Sequence, residues 1–198
     1  MKFFRHVTGW FAAACLSTAV FGSDSPWGIM SHPFWSPKPE DFKNEIKMTS
    51  GAGAGWMRTD FGFSLICKVP GKFNFERTDE LVDKLAEKGI QVLPVLQGYD
   101  WGIRPECRPL SQHLDEWRSY VRAVAEHYKG KIHAYEIWNE QDGGFWRPAP
   151  NAAQYVKLLK IAYREIKAVD PDATVIVGGM CYWNDSYMKD IYLAGGKG

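Results

Sequence analysis

The 198-residue chain alternates short apolar runs with amphipathic stretches five times over, and that alternation limits the fold more than any other feature. The runs begin at Trp27, Trp56, Ile90, Ile132 and Thr174. They are brief and almost continuously apolar, as strands are when both faces of their sheet are covered. Between them, apolar residues recur at helical spacing. Phe42 and Ile46 lie within a stretch from Pro39 to Met48, and Leu81, Val82 and Leu85 follow Thr78. Leu114, Trp117, Val121, Val124 and Tyr128 share one face, as do Tyr155, Leu158, Leu159, Ala162, Ile166 and Val169. Thr78, with Asp79 and Glu80 behind it, reads as an N-cap; Asn151 with Gln154 three residues later reads as a capping box. A short helix from Ser186 to Ala194 follows the last run.

Strand–helix alternation of this kind implies an α/β fold with a parallel sheet. Two architectures use five such units: a flavodoxin-like doubly wound sheet in the order 2-1-3-4-5, and the first part of a (β/α)8 TIM barrel. The doubly wound fold would place a ligand loop after its first strand. Here that loop is Ser31-His32-Pro33-Phe34-Trp35, with no glycine-rich phosphate cradle. Polar and aromatic groups gather instead at the C-terminal ends of several strands: Ser31 and His32, Arg58 and Asp60, Gln97 to Trp101, and Asn139 with Glu140. Barrel active sites are built on that rim. A complete barrel needs about 250 residues, so the chain reads as the first five βα units, truncated before a sixth strand. Its two sheet edges would then lack partners, an aggregation liability unless covered.

The composition narrows the function. The chain is 45% hydrophobic with a net charge of +1, so it is neither disordered nor a polyanion binder, and no nucleic acid partner is expected. Nine tryptophans and nine tyrosines suit a core or a sugar-binding cleft. Residues 1–22 read as a secretory signal peptide: Lys2 and Arg5, then an uncharged apolar centre around Trp10 to Leu16, then small residues up to Gly22. Thr8, Gly9, Ser17 and Thr18 interrupt it too often for a membrane span. Export would make the protein secreted or periplasmic. A lipoprotein anchored through Cys15 is the alternative. Residues 23–198 form the barrel portion. Cys67, Cys107 and Cys181 are an odd number, and export permits a Cys67–Cys107 bridge. No nucleotide loop, Gly-x-Ser-x-Gly elbow or metal-spaced cluster occurs, so no cofactor is implied.

The fourth strand carries the chemistry. It runs Tyr135-Glu136-Ile137-Trp138-Asn139-Glu140. Simple alternation places Glu136, Trp138 and Glu140 on one side and Asn139 on the other. A carboxyl at a barrel mouth beside Trp138, Phe145 and Trp146 is expected to hold a proton near neutral pH, as a general acid for glycosidic cleavage must. The bland reading of Glu140 is a surface or cap group. That of Trp101 and Trp146, which as rim indoles would stack on sugar rings, is rim packing. His32 is a substrate contact or a plain loop histidine.

The segment Glu136-Ile137-Trp138-Asn139-Glu140, with Phe145-Trp146, Ala168-Val169-Asp170-Pro171 and Val177-Gly178-Gly179, resembles the N-terminal part of clan A glycoside hydrolases. It is most similar to family 39, with family 5 cellulase-like enzymes as neighbours. The resemblance spans residues 26 to 198. It implies a retaining glycosidase that acts on a polysaccharide or oligosaccharide and needs no cofactor. Glu140 matches the acid/base, Asn139 the residue that bonds the sugar 2-hydroxyl, and Arg58 the second-strand arginine that supports the nucleophile. Trp138, His32, Trp101 and Trp146 are the further substrate-binding candidates. Arg58 also reads as one side of an interior salt bridge with Asp60 or Glu136. The chain departs from the family at Gln141, where proline is usual. The family's nucleophile lies on the seventh strand, so no residue of these 198 matches it, and the isolated chain is expected to hydrolyse little or nothing; a non-catalytic carbohydrate-binding remnant is the alternative function.

Overall fold

Pro39, Glu40 and Asp41 open the first helix, a ring that fixes φ followed by two carboxylates at the positive end of the helix dipole. In the computed structural model, which describes residues 25–36, 38–69, 71–98, 110–182 and 185–196, it is α1 (Pro39–Gly51) and follows β1 (Gly28–Met30). The other strands are β2 (Trp56–Gly62), β3 (Gln91–Gln97), β4 (Ala134–Asn139) and β5 (Thr174–Gly179). The other helices are a single turn α2 (Phe63–Ile66), α3 (Glu76–Ala86), α4 (Leu114–His127), α5 (Ala152–Val169) and α6 (Asp185–Leu193). Three further residues, Leu110–Gln112, form a 3-10 turn before α4.

All five strands are parallel and lie in the order β1-β2-β3-β4-β5. That order excludes the flavodoxin-like arrangement and is the one a (β/α)8 barrel lays down from its first strand. Because all five strands run parallel, every strand's C-terminal end reaches the same rim.

The core lies between the sheet and its helices. Helix α4 supplies Trp117, Tyr120, Val121, Val124 and Ala125, and α5 supplies Tyr155, Val156, Leu158, Leu159, Ala162 and Ile166. The Trp117 indole N–H donates to the carbonyl of Leu158 at 3.0 Å, so the polar edge of the ring is satisfied where its body is buried. Asn151 caps α5 by accepting from the Gln154 N–H at 2.9 Å, as its sequence indicated.

One local reading is corrected. Thr78 does not cap α3, which starts two residues earlier. Thr78 is buried inside the first turn, donating to the Phe75 carbonyl at 2.9 Å and accepting from the Tyr128 hydroxyl at 2.6 Å. The Asn74 side chain instead takes the Glu76 N–H at 2.9 Å. Cys67 is a buried free thiol. Residues 1–22, together with Tyr99, Asp100, Trp101 and Cys107, lie outside the described residues.

Candidate active site

Arg58 is the hinge of the rim. It stands on β2, two residues before Asp60, and its guanidinium reaches over β3 to β4. Nε donates to Glu136 Oε2 at 2.6 Å and Nη2 to Oε1 at 2.7 Å, a two-pronged ion pair. Nη2 also donates to Asn139 Oδ1 at 2.7 Å. The Gly179 N–H on β5 adds a third bond to Glu136, at 2.7 Å to Oε1. Glu136 is only 4% exposed, so its charge is tolerated because all of this surrounds it. Of the two interior partners the sequence offered Arg58, the structure selects Glu136. Asp60 pairs elsewhere.

Simple alternation fails at Trp138, whose φ is +72°. A left-handed turn at a bulky residue costs about 1–3 kcal/mol and swings the side chain out of register. The indole goes to the helix side, with ring centres 6.1 Å from Trp117 and 4.9 Å from Trp146. Asn139 is thereby brought to the same side as Glu136, where both meet Arg58. Glu140 follows with φ +53°, its N–H donating to the Gly179 carbonyl at 2.6 Å. Its side chain is half-buried at the rim.

The strained turn is held from both sides. The Tyr155 hydroxyl of α5 donates to the Ile137 carbonyl at 2.9 Å and accepts from the Gly178 N–H at 2.9 Å. Burial pushes this phenol well above its ordinary pKa, which keeps the O–H a donor. Gln141, where the family has proline, is fully buried and gives its amide N–H to the Gly178 carbonyl at 2.8 Å. Position 178 has to be glycine: a Cβ there would lie 2.5 Å from the Trp138 carbonyl oxygen and 2.6 Å from that of Ile137.

Beside this cluster lies a second one. His32 Nδ1 and Asp60 Oδ2 are 2.6 Å apart, and Gln97 Nε2 donates to Asp60 Oδ1 at 2.6 Å. The His32 ring stacks on Trp35, centre to centre 4.0 Å, and Trp35 is 67% exposed. The sequence marked this loop but did not single out Trp35, Gln97 or Cys181. The first two were visible only as members of the rim, and Cys181 only as an odd thiol. Among the described residues no group of three or more His, Cys, Asp or Glu could hold a metal ion, and no helix is long and apolar enough to cross a membrane.

Of the residues the sequence proposed, Arg58 and Asn139 are joined directly and Glu140 follows them on the rim. His32 stands in the neighbouring cluster. Trp138 and Trp146 are 4% and 1% exposed. Both rings are packed into the core against Trp117 and Tyr155, with no open face for a sugar ring, because the left-handed turn at residue 138 faces them toward the helices.

No protein-family model matches the chain. It is 23% identical over 164 residues to a β-xylosidase of Geobacillus stearothermophilus, an alignment that covers 70% of this chain and 31% of that protein. A solved family 39 glycoside hydrolase from Bacteroides cellulosilyticus WH2 superimposes with a TM-score of 0.57 at 26% identity, covering 76% of this chain and 31% of the other. Endoglucanase Cel5A of Thermotoga maritima superimposes with a TM-score of 0.62 at 19% identity, covering 86% and 55%. The chain therefore has the fold of the clan A glycoside hydrolases over its first five βα units, and its resemblance is to glycosidases. It spans about a third of the length of the β-xylosidase it matches.

Proposed function

We propose that the chain is the acid/base half of a retaining glycoside hydrolase, with Glu140 as the general acid/base. The observation that supports this most is the Arg58–Glu136–Asn139 cluster at the C-terminal end of β4, next to Glu140. With Asn139 Oδ1 committed to Arg58, the amide NH2 is the group that meets the sugar 2-hydroxyl. Glu140 protonates the departing glycosidic oxygen, then as carboxylate takes a proton from the incoming water. Glu136 takes no part in proton transfer, since its oxygens already hold three donors; it fixes Arg58.

A retaining pair needs its second carboxyl about 5–5.5 Å from the first. That nucleophile would come from a seventh strand, so the 198 residues alone turn over little or no glycoside. The leader makes the protein exported. The names of its relatives direct the choice of sugar to β-1,4-xylo-oligosaccharides.

Titration with xylotriose, cellotriose and mannotriose, followed by calorimetry, tests the reading. Saturable binding of xylotriose is expected. Asn139→Ala should weaken it about tenfold, or about 1.4 kcal/mol, through the lost hydrogen bond and its neighbours. If none of the three sugars binds, or if Asn139→Ala leaves binding untouched, the proposed site is wrong.

A further inference from the structure

Trp35 follows β1 on the rim and is 67% exposed. One exposed indole is ordinary on a protein surface; what sets this one apart is how firmly it is held. Its backbone N–H donates to the His32 carbonyl at 3.0 Å, closing the turn that leaves β1. Its ring stacks on the His32 imidazole, centre to centre 4.0 Å with the planes 27° apart. The next residue, Ser36, donates its hydroxyl to Asp41 of α1 at 2.6 Å. His32 is fixed in turn: Nδ1 meets Asp60 Oδ2 at 2.6 Å, and Gln97 Nε2 holds the other Asp60 oxygen at 2.6 Å. Asp60 and Gln97 are both buried, so the imidazole stands on a footing that reaches from β2 to β3. Trp27 gives the contrast. It too is exposed, but it precedes β1, at the end of the sheet opposite the rim.

Resting on the glycosidase reading above, we infer that Trp35 and His32 form a sugar subsite remote from the bond that Glu140 acts on, taking one pyranose ring of a β-1,4-linked chain. The C–H face of such a ring is apolar and packs on the open side of the indole. The imidazole supplies the polar edge. With Nδ1 turned to Asp60, Nε2 is left without a hydrogen bond among the described residues, and a sugar hydroxyl, donor and acceptor at once, satisfies it in either protonation state. Because the indole is ordered before the sugar arrives, little freedom is lost on binding. Trp35 thus takes the platform role that Trp138 and Trp146, packed into the core, do not fill. Strand order sets the separation: β1 lies three strand spacings from β4, about 14 Å along the sheet, more than a single sugar ring spans. The ring on Trp35 is therefore not the ring beside Glu140, and the substrate is an extended chain rather than a disaccharide.

Calorimetric titration of the full chain with xylotriose and xylohexaose reads the length that the site covers. The hexaose should bind about tenfold more tightly than the triose. Trp35→Ala should remove most of that gap, and Trp35→Phe, which keeps a stacking face, should retain most of it. Since Trp35 is exposed, neither variant should move the midpoint of urea denaturation, which separates a lost platform from a damaged fold. Equal affinity for the two sugars, or a gap that Trp35→Ala leaves intact, overturns the inference even where Asn139→Ala weakens both sugars and upholds the site beside Glu140. A gap closed by Trp35→Ala while Asn139→Ala changes nothing would uphold the subsite and sink the Asn139 site alone.

Discussion

Replacing Arg58 by methionine is expected to lower the stability of the chain by about 3–5 kcal/mol. The size of the effect comes from the partner left behind. The Glu136 side chain is 6% exposed and the Arg58 side chain 23% exposed, so water cannot easily take over the two bonds that the guanidinium supplies. One N–H, that of Gly179, would remain for a buried carboxylate, which would have to take up a proton or draw in water. Urea denaturation gives the measurement, and a companion variant gives the discrimination. If the loss is an uncompensated charge, Arg58→Met combined with Glu136→Leu should recover most of it, since an apolar pair of similar volume often matches a buried ion pair. If the double variant is no better than the single one, Arg58 matters for packing rather than for charge.

Trp146→Ala should cost about as much, roughly 3–5 kcal/mol, for a different reason. Its indole is 1% exposed and lies 4.9 Å from Trp138 and 6.0 Å from Tyr155 between ring centres, with Nε1 donating to Gln154 at 3.4 Å. Truncation opens a cavity next to the residue with φ +72°, at the place where the β4 turn is held in its strained form. The midpoint of denaturation should therefore move strongly. A sugar platform behaves in the opposite way, losing affinity with little change in stability, and that outcome would restore the rim reading of this tryptophan.

The repeat of strands and helices was legible because each is written in local periodicity. Five apolar runs gave five strands, and Asn151 with Gln154 gave the start of α5. What local patterns miss is set by contacts distant in sequence. Thr78 looks like a cap but is drawn inside α3 by Tyr128, fifty residues away. The two-residue period of β4 holds to Ile137 and breaks at Trp138, because Tyr155, Gln141 and the missing Cβ of Gly178 together stabilise a backbone that tryptophan alone would avoid. That single break moves Asn139 to the side of Glu136 and Arg58 and sends two tryptophans into the core. The acid/base reading of Glu140 rests on its motif; the bond from its N–H to the Gly179 carbonyl, 39 positions away, was not legible locally.

The most direct measurement is an affinity label. N-bromoacetyl β-xylosylamine binds as a xyloside, with nitrogen in place of the departing oxygen and its reactive carbon two bonds beyond, within reach of a carboxylate that protonates that oxygen. It is applied to Cys181→Ser, so that the adjacent thiol cannot intercept it, and the modified residue is mapped by mass spectrometry. Esterification of Glu140, slowed by xylotriose and abolished by Glu140→Gln, is the expected result. Labelling scattered over other carboxylates, or labelling of Glu140 that xylotriose does not slow, would contradict an acid/base role for this residue.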